Sequence, residues 1–291
     1  MKVAAVIVTY NRLDLLKECV LAIESQNFKL WNIFVINNGS TDGTYEWLKS
    51  KKSIIVLNQE NLGGAYGFYA GIKFAYDNGA DWIWCLDDDT IANEDTLSKL
   101  MSSKFINDPQ TGFLSSIVKW TDNSLHKMNA VMPISNLNIY DNILSDQILE
   151  ISGASFVSLL ISRNAVTNCG LPIKEFFIWG DDVEYTNRIT KFYKGYLKLD
   201  SLVVHKTRFN ETADFSLMTK DNYFKYKYLI RNHIWFLRFR RKKKNIILNL
   251  VQHLEAIYII MKNSIRAELT INCIRAIFSG YFFNPTVINK Y

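Results

Sequence analysis

The 291-residue chain is predicted to form an α/β fold: a mostly parallel central sheet with helices on both faces, followed by a helical C-terminal extension. Three observations carry that prediction. Short, continuously apolar strand segments alternate with helix-period segments up to about residue 104, as in a parallel sheet buried on both faces. The polar clusters of this half each follow a strand, so they gather on the rim where open α/β sheets bind ligands. Beyond residue 222 the strand signal stops and helical periodicity takes over.

The elements follow in order. Val3–Thr9 is apolar and β-branched, a buried strand. Leu13, Leu16, Val20 and Ile23 share one face of a helix over 13–25. Residues 33–36 form a second strand, closed by the turn cluster Asn37-Asn38-Gly39-Ser40. A helix over 42–50 leads to a strand over 54–57. Gly63-Gly64 open a helix that runs to Tyr76. Residues 82–86 form a fourth strand, and 91–102 are predicted as a helix. The polar stretch 105–150 reads as strands and loops. Residues 150–162 read as a strand pair or strand-turn around Ser152-Gly153-Ala154, and 197–205 as a strand ending in His205. Further on, Ile246, Ile247, Leu250, Val251, Leu254, Ile257, Tyr258 and Met261 line one helical stripe. The expected division is a catalytic domain over 1–221, with halves of about 1–104 and 105–221, and a basic, amphipathic region over 222–291.

Composition narrows the function classes. A hydrophobic content of 48% with 21% charged residues excludes general disorder. Cys19, Cys85, Cys169 and Cys273 form no CxxC pair or disulfide framework, which suits a reducing compartment. The apolar part of MKVAAVIVTYNR is too short for a secretory signal, and no run approaches the ~18 apolar residues of a membrane span. The expected location is cytoplasmic, peripheral on the inner face of the cell membrane. Nine Lys or Arg residues lie between Asn222 and Leu254 with no acid among them; removing them from the net +6 leaves −3. The positive charge is therefore local and implies a local anionic partner. No GxGxxG follows the first strand, which argues against a nicotinamide or flavin enzyme.

Two acidic stretches carry the chemistry. In WIWCLDDDT (82–90) a strand delivers three aspartates to the rim. In extended chain Asp87 and Asp89 point to one side and Asp88 to the other. Two converging carboxylates suit a hard divalent cation, or Asp89 or Thr90 caps the next helix. His205, also at a strand end, could complete a metal site, and imidazole suits Mn2+. In FFIWGDDVEYTNRI (176–189) apolar surface leads through Gly180 into Asp181 and Asp182, with Glu184 beyond. Either Asp181 begins a capping pattern with Glu184, or the acids meet something positively charged or protic.

VIVTYNR, INNGSTDGT, NLGGAYGF, LDDDT and WGDDVEYTNRI, in that order over residues 3–232, resemble the family-two glycosyltransferases of GT-A (Rossmann-like) fold. The NLGGAYGF and WGDD versions, with KYKYLIRN, are most similar to the galactofuranosyltransferase and rhamnosyltransferase branch. The resemblance implies that Thr9, Tyr10 and Arg12 line a nucleotide pocket, with Asn38 standing where the family usually places an acid. It implies that Asp87 and Asp88 face the donor, that Asp87, Asp89 and His205 hold Mn2+ or Mg2+, and that Asp182 is the catalytic base with Asp181 beside it. Trp179 would offer a flat face to an acceptor sugar, and Glu184 would hold its hydroxyls or tune Asp182. Gly153 matches the family's small-residue turn where donor and acceptor meet. Asn61, Gly63 and Gly64 would bring backbone close to the donor, besides starting a helix.

The function implied is metal-dependent, inverting transfer of galactofuranose from UDP-galactofuranose to a hydroxyl of a growing, lipid-linked bacterial surface polysaccharide. A dTDP-rhamnose or another UDP-hexose transferase is the alternative. A nucleotidyltransferase would want a Gly- and Lys-rich loop where TYNRLD stands. A non-catalytic nucleotide-sugar-binding module would have no need of Asp87, Asp89, Asp182 and His205. RFRRKKKN (238–245) followed by an amphipathic stripe fits an anionic membrane surface, met through 222–262, better than nucleic acid.

Overall fold

The computed structural model of the chain describes residues 1–131, 133–134, 139–213, 217–240, 267–288 and 290–291. The first half alternates β1 (Val3–Thr9), α1 (Leu13–Glu24), β2 (Asn32–Asn37), α2 (Thr44–Lys49), β3 (Ile54–Asn58), α3 (Gly64–Asp77) and β4 (Trp82–Asp87). Every residue of β1 is buried. Its side chains divide by parity: Val3, Ala5 and Ile7 join the core beneath α1, whereas Ala4, Val6 and Val8 join the core beneath α3. A strand buried on both faces has no polar alternation, which is why it reads as a continuous apolar run.

β1 pairs in parallel with β2 and with β4, and β2 with β3. The second half adds β5 (Thr90–Ala92), α4 (Thr96–Met101), β6 (Thr111–Lys119), α5 (Ile139–Asp146), β7 (Ile148–Ile151), β8 (Leu159–Ser162), α6 (Arg163–Cys169), α7 (Asp181–Ile189) and β9 (Lys194–His205). The sheet order is β3-β2-β1-β4-β8-β6-β9-β5, with β7 also paired to β9. β8 joins β4 and β6 antiparallel, while β6 and β9 run parallel. Helices cover both faces, as expected.

Three local expectations change. The helix expected from residue 91 starts at Thr96, because Thr90–Ala92 pairs antiparallel with the end of β9. Ile91 fitted the helical pattern by chance of spacing, and sheet pairing overrides it. Within the stretch read as strands and loops, 139–146 is helical. A helix capped by Ser162, whose Oγ accepts from the Ala165 N–H, follows β8 directly.

The C-terminal part contains α8 (Tyr223–Arg240) and α9 (Ala267–Phe282). α8 holds the chain just before α7. Asn232 Nδ2 lies within donating distance of three carbonyls, Phe176 O (3.0 Å), Ile178 O (3.2 Å) and Trp179 O (2.9 Å). Arg231 Nη2 donates to Glu175 O at 2.6 Å. α9 packs on α8 through Cys273, Ala276 and Gly280. The chain end returns to the main body, where the Tyr291 N–H donates to Thr167 O at 2.9 Å. The basic run over 241–244 and the stripe over 246–261 lie outside the described residues. Among the described residues, no helix is long and apolar enough to cross a membrane.

The segment held by α8 is unusual in its backbone. Phe177, Trp179 and Gly180 all have positive φ, at 66°, 65° and 89°. Gly63 meets it: φ is +89°, and a Cβ there would stand 2.3 Å from Phe177 O. The Ala65 N–H donates to that same carbonyl at 3.1 Å. Gly63→Ala is therefore expected to destabilise the protein by roughly 2–4 kcal/mol, from left-handed strain plus the displaced Phe177. Urea denaturation checks this; a loss below ~1 kcal/mol would mean that the loop relaxes freely.

Candidate active site

Asp87 ends β4, and Asp88 and Asp89 form the turn into β5. Asp88 turns back beneath the β1 loop. Thr9 Oγ1–H donates to its Oδ2 (2.8 Å), the Tyr10 N–H reaches the same oxygen (3.3 Å), and Arg12 Nη1 lies 3.4 Å from Oδ1. Asp87 and Asp89 point the other way, toward His205. His205 Nε2 is 3.0 Å from Asp89 Oδ1 and 3.9 Å from Asp87 Oδ2. Arg12 Nη1 also reaches Asp89 Oδ2 at 2.6 Å. The alternation expected of an extended chain thus holds across the turn.

β5 explains how His205 arrives. Thr90 pairs directly with His205, so the strand following the acids is hydrogen-bonded to the strand that carries the imidazole. The Lys206 N–H donates to Asp89 O at 2.9 Å and fixes the corner. Behind the ring, His205 Nδ1 lies 2.8 Å from Asn129 Oδ1, and Asn129 Nδ2 donates to Ser155 Oγ at 2.8 Å. An amide oxygen only accepts, so Nδ1 carries the proton and Nε2 faces the acids. His126 lies against the His205 ring, with 4.6 Å between centroids. Burial, then the proximity of His205, push the His126 pKa down to about 4, so the ring beside His205 is neutral.

The charges settle unequally. Burial and then the charge of Asp89 push Asp87 up to about 7. Burial pushes Asp88 to about 6, with Arg12 opposing. Burial would also raise Asp89, but the hydrogen bond and charge of His205, with Arg12, outweigh it and hold Asp89 below the usual carboxylate range. Burial disfavours the charged His205 ring, yet Asp89 and Asp87 more than offset it and raise its pKa. Asp87 retains 38% of its side-chain exposure through the cavity, so water there softens the effect of burial.

This group fits a divalent cation. Asp87, Asp89 and His205 each offer a donor atom, and those atoms lie within 4.8 Å of one another. Asp89 Oδ1 is buried and, among the described residues, has no hydrogen-bond partner besides His205 Nε2. Two carboxylate oxygens and one imidazole nitrogen suit Mn2+ or Mg2+.

Asp181 and Asp182 open α7 after the left-handed Gly180. They line the same cavity of about 900 Å³ as Arg12, Asp87, Asp88, Asp89 and His205. The Val183 N–H donates to Asp182 Oδ1 at 2.7 Å. Burial pushes Asp182 up to about 6 against opposing backbone hydrogen bonds from Val183 and Phe156. Asp181 goes well above the ordinary carboxylate value, through burial and then the charge of Asp182. Both adjacent acids are thereby raised, and at about 6 Asp182 still releases its proton at neutral pH.

The other sequence-predicted residues divide. Trp179 and Gly64 line the cavity with these acids. Thr9, Tyr10, Asn38, Asn61 and Gly63 stand outside its lining. Asn38 is buried, accepts from Gln59 Nε2 (2.5 Å) and donates to Gly63 O (3.3 Å). Asn61 Oδ1 accepts from the Gly63 N–H, a local turn, and Gly63 makes room for Phe177. Gly153 makes room for α7, since a Cβ there would meet Asn187 Nδ2 at 2.9 Å; Ser155, Phe156 and Val157 are the cavity residues of that turn. Glu184 is a correction. It is buried and bonded to Arg188 Nη2 at 2.9 Å, while Arg188 Nη2 also donates to Leu171 O at 2.9 Å. Its carboxylate is spent inside the fold, away from the cavity, and the Glu-x-x-x-Arg spacing was the available signal. Sequence reasoning also missed Asn129 and Ser155, which carry no motif, and gave no site role to Lys225, the first residue of KYKYLIRN.

Comparison with known proteins agrees with this architecture. A family model described as Glycosyl transferase family 2 matches residues 4–167, more than half of the chain. The chain is 28% identical to galactofuranosyltransferase GlfT1 of Mycolicibacterium smegmatis over 202 residues, which span 65% of each protein. About a third of that relative therefore lies outside the match. Among solved structures, S. aureus TarS in complex with UDP-GlcNAc superimposes with TM-score 0.59 at 16% identity, covering 95% of this chain and 79% of that one. Mannosyltransferase PcManGT from Pyrobaculum calidifontis, in complex with GDP-Man and Mn2+, gives 0.53 at 17% identity, covering 97% and 76%. At these identities the structural likeness speaks for the fold alone, and that fold is GT-A.

Two measurements check the metal assignment. UDP is expected to raise the melting temperature far more with Mn2+ present than with EDTA; equal stabilisation would contradict it. Asn129→Ala is expected to weaken Mn2+ binding about 10-fold by freeing the His205 ring. Titration followed by electron paramagnetic resonance measures that directly, and unchanged affinity would remove Asn129 from the site.

Proposed function

This chain belongs to glycosyl transferase family 2, and from that premise we propose that it is a metal-dependent, inverting enzyme. It moves galactofuranose from UDP-galactofuranose to a hydroxyl of a lipid-linked surface polysaccharide. One observation carries the mechanism: three residues able to hold a cation and a carboxylate with its pKa raised to about 6 line the same cavity. The similarity to a galactofuranosyltransferase supports the choice of sugar. The dTDP-rhamnose alternative comes from the resemblance to the shared branch, and Asn37-Asn38 in place of an acid left the choice between uracil and thymine open. Both side chains are occupied inside the protein, Asn37 with Asn58 and Asn38 with Gln59, so neither favours one base over the other.

Asp182 takes the proton of the acceptor hydroxyl as that oxygen attacks the anomeric carbon. The bond to the departing diphosphate breaks on the opposite face, so one displacement inverts the centre and no covalent enzyme intermediate forms. A pKa of about 6 leaves Asp182 ionised at neutral pH yet basic enough to accept. Asp181 lies beside it, and the charge of each acid disfavours ionisation of the other, which adds to the pull of burial on Asp181. Trp179 offers the acceptor sugar an apolar face. Asp87, Asp89 and His205 would hold Mn2+ or Mg2+, which when bound supplies positive charge to the leaving diphosphate. Arg12 and Lys225 line the cavity and can pair with the same charge. Thr9 and Tyr10 fix Asp88 and the β1 loop that presents Arg12, a supporting part in donor binding. The division into a catalytic domain over 1–221 and an extension over 222–291 belongs to the same proposal, as does a cytoplasmic location with the basic extension against an anionic membrane.

Asp182→Asn keeps the shape and removes the basicity. It is expected to leave UDP affinity nearly unchanged and to lower transfer at least ~100-fold; turnover like wild type would move the base elsewhere. In wild type, activity should fall as pH drops through about 6, where Asp182 gains its proton. A rate that stays flat to pH 5 at constant metal occupancy would contradict that role.

A further inference from the structure

α9 presents apolar residues on two opposite faces. Its inner face, with Cys273 and Ala276 buried, packs on Tyr226, Ile230 and Ile234 of α8. Gly280 lets the helices approach closely, since a Cβ there would stand 2.8 Å from Ile234 Cβ. The Tyr223 hydroxyl donates to Asn272 O at 2.8 Å and fixes the rotation. That leaves Ile271, Ile274, Phe278 and Phe282 outward, with 50%, 38%, 61% and 83% of their surface exposed. Their spacing of three and four residues puts them on one stripe, with exposed Arg275 beside them. A surface helix docked by one face normally turns polar residues to water. Four large apolar side chains in a row mark a contact surface.

Charge identifies the partner. Residues 222–291 contain thirteen Lys or Arg and two acids, Glu255 and Glu268, a net +11; residues 1–221 carry a net −5. A second copy would bring two such strongly positive regions together, which self-repulsion opposes. An anionic lipid surface attracts the charge and accepts the apolar stripe.

We propose that the outer face of α9 inserts Ile271, Ile274, Phe278 and Phe282 into the headgroup–acyl boundary of an anionic bilayer. The inference rests on the membrane reading of the basic extension, and it places the apolar contact on α9 rather than on residues 246–261. The packing on α8 makes α9 a pre-formed wedge, so α9 itself need not fold on arrival. α8 also lines the catalytic cavity through Lys225, Leu229 and His233. The lipid contact is therefore one helix away from the site that would act on a lipid-linked acceptor.

The test is co-sedimentation of the full chain with vesicles of phosphatidylglycerol and phosphatidylcholine, or of phosphatidylcholine alone. Wild type should sediment with the anionic vesicles. The double variant Phe278→Ser, Phe282→Ser should bind them at least about 10-fold more weakly, with unchanged melting temperature and elution volume. Phe192→Ser, at an exposed position on the main body, should bind like wild type. Because the four native cysteines are buried, a nitroxide on Phe282→Cys can report depth, and it should gain oxygen accessibility on anionic vesicles. A double variant that binds like wild type overturns the inference while leaving the basic charge as the membrane contact. Wild type that sediments with neither vesicle overturns both readings. A lower melting temperature in the double variant, or a wild-type dimer that it dissociates, overturns the inference by showing that the chain itself or a second copy covers the face.

Discussion

Three consecutive carboxylates at the end of a buried strand are the constraint around which this protein is organised. Placed together at a low-dielectric rim, Asp87, Asp88 and Asp89 repel one another and resist losing water. The fold separates them. Asp88 turns back to Thr9, Tyr10 and Arg12, whereas Asp89 receives His205 on one oxygen and Arg12 on the other. The short strand β5 is what allows this, because its pairing with β9 sets Thr90 opposite His205. The mixed second half of the sheet thus brings a histidine more than a hundred residues away to the acids of the parallel half.

A second constraint sits across the cavity. The segment leading to Asp181 and Asp182 takes three positive φ angles within four residues. Two of these, at Phe177 and Trp179, are in non-glycine residues, each costing of order 1–3 kcal/mol. Asn232 offsets part of that cost by meeting three carbonyls of the segment with one amide nitrogen, and Arg231 meets Glu175 and Phe176. Gly63 closes the segment from the other side. The C-terminal helices are in this sense part of the site's construction: α8 holds the backbone that aims the acids, and the same helix turns Lys225 into the cavity.

Much of this was legible because it depends on short-range regularities. The parallel half follows from apolar runs and turn residues, and strand alternation alone separates Asp88 from Asp87 and Asp89. What the chain did not display were roles decided by partners far away. Ile91 belongs to a strand because β9 pairs with it. Asn129 matters because the end of β9 meets it, and nothing local distinguishes it from any polar loop residue. Glu184 misled by standing next to two cavity acids; on a helix its carboxylate met Arg188 one turn on. Gly63 and Gly153 answered to packing against Phe177 and Asn187.

The central claim is that Asp182 activates the acceptor for a single direct displacement across a cavity shared with the Asp87, Asp89 and His205 group. The anomeric configuration of the first-formed product, read by proton NMR before any mutarotation or back-reaction, tests this most directly. The account predicts inversion relative to the nucleotide-sugar donor. A product with retained configuration would require a second displacement or a front-face path, and would contradict the role assigned to Asp182.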